Sequence, residues 1–396
     1  MKKALFITWD GPQTSYMESL FMPILSEVQS QSEYVFHVVQ FTWATPGKIA
    51  ITQKTAKELD IIYTARTIVR KPIAILGNLF TLYKAIRFLK KYIKNNNITI
   101  VMPRSTMPAI MVNRIKKQHF KIVFDADGLP LEERIESSGL SRDSKQYQFL
   151  KNEELKMLLR ADVVLTRSKE AVKIHSETLA NENAEKFSVV SNGRSPDFFK
   201  PNLFQREKMR KKLHISSHTK VLVYCGSLGS KYGWEEMITI FRNYQEKNSS
   251  TLFLILTENV AYVEERIPYE LKDFILVKTA PFNEVPNYLS VADVAFAIIK
   301  PKFSMQAAAP IKLGEYLLMG IPTIASVGIG DTEQILNAIP NCFLYHHQNS
   351  NRVAAAVAFI EGLGNTNFEE IRTFAIPFFS IANSAASYCN ALDKTK

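Results

Sequence analysis

The stretch Ala308-Ala309-Pro310-Ile311-Lys312-Leu313-Gly314-Glu315-Tyr316-Leu317-Leu318-Met319-Gly320-Ile321-Pro322-Thr323-Ile324-Ala325 reads as a helix followed directly by a strand. Pro310 suits the first helical turn, where its missing N–H has no intrahelical acceptor to lose. Leu313, Tyr316 and Leu317 then share one apolar face. Gly320 is the expected C-cap, and Pro322 opens the next strand.

The same unit recurs outward in both directions. Strand-like apolar runs fall near 3–9, 34–42, 98–102, 121–125, 162–166 and 187–191, and again near 220–225, 251–257, 274–277, 293–299 and 322–326. Helical segments separate most of them. Such alternation predicts parallel sheets covered by helices on both faces. The order restarts after Asn192-Gly193-Arg194-Ser195-Pro196-Asp197-Phe198-Phe199-Lys200-Pro201, whose turn residues read as a linker. The expected fold class is α/β with two doubly wound, Rossmann-like domains, the first over 1–195. Open parallel sheets bind ligands beyond the carboxyl ends of their strands. That rule gives weight to Gly11 and Pro12, Asp125 to Gly128, Gly226 to Gly233, and Ala307 to Glu315.

Composition narrows the class further. The 396 residues, 46% of them hydrophobic, are enough for two separate cores. Cys225, Cys342 and Cys389 are widely spaced and odd in number, which fits a reducing compartment better than a disulfide framework. Met1-Lys2-Lys3 runs straight into a first strand rather than a signal peptide. No apolar run approaches the ~20 residues of a membrane span. The net charge of +11 lies almost wholly in the first half. Between Asp60 and Asp125 there is no acidic residue, yet thirteen basic ones occur, among them Arg66, Arg70, Lys71, Lys84 and Arg87. A field of one sign on that scale implies an anionic partner. A nucleic acid is not the expected one, because no recognition motif accompanies the charge.

Two segments carry the chemistry. The free N–H groups at the start of the Pro310 helix suit a phosphate, Lys312 adds a point charge, and Glu315 stands one turn later, where a ribose could donate two hydroxyls. The plainer reading is a surface helix with an incidental i, i+3 Lys-Glu pair. The second segment, Tyr224-Cys225-Gly226-Ser227-Leu228-Gly229-Ser230-Lys231-Tyr232-Gly233-Trp234, places three glycines between a strand and a helix. That allows close backbone approach to a diphosphate, and it also describes many tight turns.

Over nearly its whole length the chain resembles the retaining nucleotide-sugar glycosyltransferases of glycosyltransferase family 4. The resemblance rests on order and spacing. It includes Ala161-Asp162-Val163-Val164-Leu165-Thr166-Arg167-Ser168-Lys169-Glu170, and Phe187-Ser188-Val189-Val190-Ser191-Asn192-Gly193 followed by Phe199-Lys200-Pro201. It continues through Tyr288-Leu289, Ala292-Asp293-Val294, and Phe379-Ser380 with Ser384-Ala385 and Tyr388. It implies a GT-B fold, two Rossmann-like domains facing across a cleft. The second domain, over 196–370, would bind the nucleotide sugar, and a closing helical segment over 371–396 would pack back toward the first.

The resemblance also implies roles. Glu315 matches the second glutamate of the family's Glu–seven residues–Glu motif, which holds the donor ribose. Pro310, Ile311 and Lys312 match the helix start that meets the donor phosphates. Gly226 matches the glycine before the family's basic pair. Asp127 stands where many members carry a histidine or arginine near the donor sugar, and Gly11 lies in the first glycine-containing loop. Three positions depart from the pattern. The first glutamate would fall at Ala307, and the basic pair at Ser227 and Tyr232. Lys231 and Lys312 are expected to supply the missing positive charge. Asp127 and Lys312 are the catalytic candidates. Gly11, Gly226, Ser227, Lys231, Pro310, Ile311, Lys312 and Glu315 are the donor-binding ones.

The expected donor is a UDP-sugar, with a GDP-sugar second, and no metal is expected to be required. Transfer would retain anomeric configuration, the phosphate-loop N–H groups and lysines stabilising the departing diphosphate. The acceptor would be lipid-linked or a polysaccharide, reached from the cytoplasm at the inner face of a membrane. The basic segment 61–124 would touch anionic lipid there. Within it, Leu79, Leu82, Tyr83, Ile86, Leu89 and Ile93 recur at helical spacing beside a stripe of Lys84, Arg87, Lys91 and Lys94. Ile68 to Leu76 adds exposed-looking apolar residues. Two rivals share the scaffold. A nucleotide-sugar epimerase would need carboxylates and histidines clustered in the cleft. A non-catalytic relative serving a polysaccharide-assembly complex would show a decayed site, and Ala307, Ser227 and Tyr232 are what decay would look like.

Overall fold

The computed structural model describes residues 2–12, 15–70, 74–117, 119–180, 184–364 and 367–395, with the side chains of 74–76 and 79 set aside. Lys71, residues 71–73 of the apolar stretch Ile68 to Leu76, and the side chain of Leu79 therefore lie outside the described residues. The chain forms two compact units. One comprises Met1–Ser191 with Ser384–Lys396, the other Asn192–Asn383.

The first unit is built on β1 (Lys2–Asp10), β2 (Tyr34–Thr42), β3 (Ile62–Thr67), β4 (Ile100–Pro103), β5 (Lys121–Asp125), β6 (Val163–Thr166) and β7 (Phe187–Val189). They form one parallel sheet in the order β3-β2-β1-β4-β5-β6-β7. The second unit holds β8 (Lys220–Cys225), β9 (Thr251–Leu256), β10 (Ile275–Lys278), β11 (Val294–Ala297), β12 (Thr323–Ser326) and β13 (Cys342–Tyr345). Their parallel order is β10-β9-β8-β11-β12-β13. Central strands of such sheets are covered on both faces and read as continuous apolar runs. Ala4, Leu5, Phe6 and Ile7 of β1, and Val221 to Tyr224 of β8, are accordingly buried. Burial of that density is the main stabilising term of each unit.

Both sheets are doubly wound. The chain reverses its direction of winding between β1 and β4, and again between β8 and β11. The carboxyl ends at those two places are where such sheets accept ligands. The first unit presents Asp10 and Gly11 beside Arg104 and Ser105 there. The second presents Cys225 and Gly226 beside Ile298 and Ile299.

The sequence pattern finds eleven of these strands and passes over β3 and β13. Both are edge strands. None of the residues Ile-Tyr-Thr-Ala-Arg-Thr of β3 is buried, so its sequence lacks the apolar run that marks a central strand. β13 is four residues long, and only Tyr345 is fully buried.

Candidate functional site

In the second unit the turn after β8 is pinned to the chain leaving β11. Gly233 N–H donates to the Ile298 carbonyl at 3.0 Å, and Lys300 N–H to the Lys231 carbonyl at 2.9 Å. The loop Gly226–Gly233 is thus held across the winding reversal. Helix Ile311–Leu318 reaches the same place from below. Tyr316, fully buried, joins it to β8: its hydroxyl accepts the Cys225 N–H at 2.7 Å. Pro310 is the residue just before the helix, so Ile311 and Lys312 bring the first N–H groups of the turn. The sequence pattern puts Pro310 inside the first turn; the structure sets it one residue earlier, as the extended N-cap.

Lys312 leaves the helix toward the loop. Its Nζ stands 3.9 Å from the ring centroid of Tyr224 and 4.4 Å from that of Tyr232, and it donates to the Tyr224 hydroxyl. The Tyr224 hydroxyl in turn donates to the Ser227 carbonyl at 2.7 Å. The Ser227 and Tyr232 hydroxyls meet at 3.2 Å. Gly226 lies directly beneath the ammonium, in a backbone conformation of φ +129°. Burial pushes the Lys312 ammonium down to about 7, Glu315 opposes that shift, and Lys231 adds to it. Lys231 is thus close enough to feel Lys312, although its own Nζ rests 5.5 Å from the Tyr232 ring centroid.

Glu315, buried one turn further on, is paired with Arg194. Both the Nε and the Nη2 of Arg194 reach Oε1 at 2.8 Å. This pair leaves Oε2 outside it. The Arg194 guanidinium also lies 5.0 Å from the Phe282 ring centroid. Cys225 sits among these groups, but burial pushes its thiol up to about 12, with Glu315 adding to the shift, so it stays protonated and unreactive at neutral pH. Ala307, where a glutamate was the family expectation, is buried.

The remaining two candidates are in the first unit. Gly11 follows β1 at the first winding reversal. Asp127, at φ +56°, belongs to a charged network that sequence reading did not find. Asp125 is wholly buried and accepts from Arg104 at 2.9 Å and from Arg167 at 2.7 and 2.9 Å. Arg104 also pairs with Asp127. Arg167 further donates to the Tyr388 hydroxyl at 3.3 Å, and its Nη1 is buried without a hydrogen-bond partner. Burial alone would raise the Asp125 carboxyl, but the two guanidiniums overcome that and hold it below the usual range. Burial, with Asp125 beside it, pushes Asp127 up despite Arg104.

A third polar chain looks like a nucleophilic relay. The Ser326 Oγ and His347 Nε2 are 2.9 Å apart, and His347 Nδ1 is 3.8 Å from Glu236. Yet Ser326 is buried and its Oγ accepts the Ile299 N–H at 3.0 Å, so the chain ties strand ends together. Among the described residues no group of three or more His, Cys, Asp and Glu is placed to hold a metal ion. No helix among them is long and apolar enough to cross a membrane.

Two doubly wound parallel sheets in one chain, each with its ligand end at a winding reversal, define the GT-B fold. Solved structures agree over the full length. HepE of Anabaena, in complex with UDP-glucose, matches at 14% identity and a TM-score of 0.72, over 99% of this chain and 100% of that one. Sucrose-phosphate synthase of Thermosynechococcus elongatus matches at 13% identity and 0.70, covering both chains fully. The lipopolysaccharide outer core galactosyltransferase WaaB matches at 15% and 0.66, again covering both. No family model matches the sequence, and no curated protein sequence does either.

Proposed function

We propose that the chain is a glycosyltransferase that moves a sugar, with retention of configuration, from a nucleotide diphosphate to a lipid-linked or polysaccharide acceptor. The observation that carries this is the placement of Lys312. Its ammonium is held above Gly226 at the start of helix Ile311–Leu318, with Glu315 one turn later. A diphosphate laid over Gly226 would meet the helix N–H groups, the glycine backbone and one ammonium together. Such groups stabilise charge that develops on the leaving diphosphate. Lys231 adds a second ammonium from the loop. Glu315 Oε2 would accept ribose hydroxyls, while Arg194 fixes the carboxylate through Oε1. Gly11 and Asp127 are assigned to the sugar and acceptor side.

UDP-sugars are the favoured donors, in keeping with the UDP-glucose complex of HepE, and GDP-sugars the second choice. The basic segment 61–124 is assigned to the anionic inner face of the membrane, where the acceptor would reside. A donor-binding relative without turnover is the second reading. It is favoured by the absence of charge at Ala307, Ser227 and Tyr232.

Calorimetry with UDP, GDP, ADP and their sugar conjugates tests the proposal. Selective binding of one nucleotide, weakened about tenfold or more in Lys312→Ala and Glu315→Gln, is the expected result. Binding by none of them would overturn it. Binding without release of the nucleotide in the presence of acceptor lipids or glycans would transfer support to the second reading.

A further inference from the structure

A cavity of about 410 Å³ opens in the first unit between the end of β3 and helix Ala74–Asn95. That volume is within the roughly 300–1,000 Å³ of pockets that enclose small ligands. Its floor is apolar: Phe41 and Ala85 are buried, and Phe88 lines one side. Its rim is cationic, with Arg66 on the strand and Lys84 on the helix. The wall is firmly built. Thr81 donates to the Gly77 carbonyl at 2.8 Å and accepts the Val69 N–H at 3.0 Å, so the segment after β3 is stitched to the helix.

The cations here rest on aromatic rings instead of acids. Arg66 lies 3.9 Å from the Phe88 centroid, Arg70 4.6 Å from Trp43, Lys84 4.2 Å from Phe80, and Arg87 4.4 Å from Tyr83. Among the described residues, no acidic group is found in a salt bridge with any of the four. Ring stacking holds the heads in place without neutralising them. Phe80 lines the cavity and is about half exposed. A small hydrophilic anion would use the rim and leave the floor wet. An apolar partner would use the floor and bury uncompensated charge. The combination suits an amphiphile whose anionic head joins directly to an apolar tail.

We propose that this cavity binds one anionic membrane lipid, its phosphate between Arg66 and Lys84 and the first part of its tail over Phe41, Ala85 and Phe88. This deepens the membrane reading of the basic segment from diffuse attraction to a site for a single lipid. It does not depend on sugar transfer, so the test omits nucleotide and its failure leaves donor binding untouched.

The probe is dihexanoyl phosphatidic acid below its micelle concentration, titrated calorimetrically into the full chain. The controls are dihexanoyl phosphatidylcholine and glycerol 3-phosphate. Binding of the acidic lipid should fall about thirtyfold in Arg66→Gln/Lys84→Gln, the effect of two basic residues near an anionic lipid. It should persist in Lys90→Gln/Lys91→Gln, whose charges lie further along the same helix. Ala85→Leu, which fills the floor, should weaken the lipid and leave any glycerol 3-phosphate binding unchanged. Equal loss in the two double variants would reduce the effect to general charge and overturn the site. Glycerol 3-phosphate binding as tightly as the lipid would overturn the tail assignment, and with it the proposal.

Discussion

The ammonium of Lys312 lies 3.0 Å from the point a β-carbon on residue 226 would occupy, and Gly226 holds φ at +129°. The loop and the helix are therefore fitted to each other at one residue that has no side chain. Gly226→Ala should cost about 1–3 kcal/mol of stability through backbone strain alone. It should also displace the ammonium and abolish donor binding. Thermal unfolding with and without nucleotide separates the two effects: a stable variant that still binds donor would contradict the fit.

Glu315 and Arg194 form a buried pair, so the two substitutions of Glu315 should differ. Glu315→Ala leaves a guanidinium without its partner and should destabilise the second unit by about 3–5 kcal/mol. Glu315→Gln keeps an acceptor oxygen for Arg194 and should cost less, while still weakening ribose recognition. Denaturant unfolding of both variants checks the ranking. Equal losses would mean that the charge itself, not the acceptor, holds Arg194.

The depressed Lys312 ammonium should make donor affinity depend on pH. At pH values below about 7 the free protein already carries the charge, and affinity should be flat there. An anionic donor favours the protonated form and raises its pKa. Above pH 7 binding must take up a proton, so affinity should fall as pH rises, by at most about tenfold per unit. UDP-glucose is the better ligand for this titration, because the terminal phosphate of UDP itself titrates near about 6. Lys312→Met should remove the slope. A slope that survives in that variant would assign it to another group.

Asp125 is held below the usual carboxylate range in the folded chain by Arg167 and Arg104, against the opposing effect of burial. Its contribution to stability is present above the ordinary aspartate pKa of about 3.9 and is lost as pH falls through the lower folded value. Asp125→Asn should destabilise the first unit by about 3–5 kcal/mol at neutral pH, since two buried guanidiniums lose their anion. It should also flatten the acid limb of the unfolding curve. Tyr388→Phe removes one hydrogen bond to Arg167 and should cost about 1 kcal/mol. A Tyr388→Phe loss as large as that of Asp125→Asn would show that the hydroxyl, not the carboxylate, organises the network.

The sequence carried more of the proposed donor site than of the first unit's network. Gly226, Pro310, Lys312 and Glu315 were legible because each stands at a punctuated boundary between a strand, a glycine loop and a helix. The aromatic surround of Lys312 was not. Tyr232 read as a position where a basic residue was missing, and nothing local showed that its ring would pack against an ammonium 80 residues later in the chain. β3 and β13 were missed for a related reason: an edge strand buries little, so little apolar pattern is required of it.

What the residues determined by themselves was the alternation of strand and helix, the restart after Asn192, and the helix that sets Lys312 three residues before Glu315. Those features are local, since the period of a side-chain pattern and the conformations open to glycine and proline depend on near neighbours. Only the tertiary structure decided that Arg194 closes on Glu315 across 121 positions, and that Arg167 meets Tyr388 across 221. Sheet order brings such partners together, and it is set by how strands stack when the whole core is buried, which no window of sequence contains.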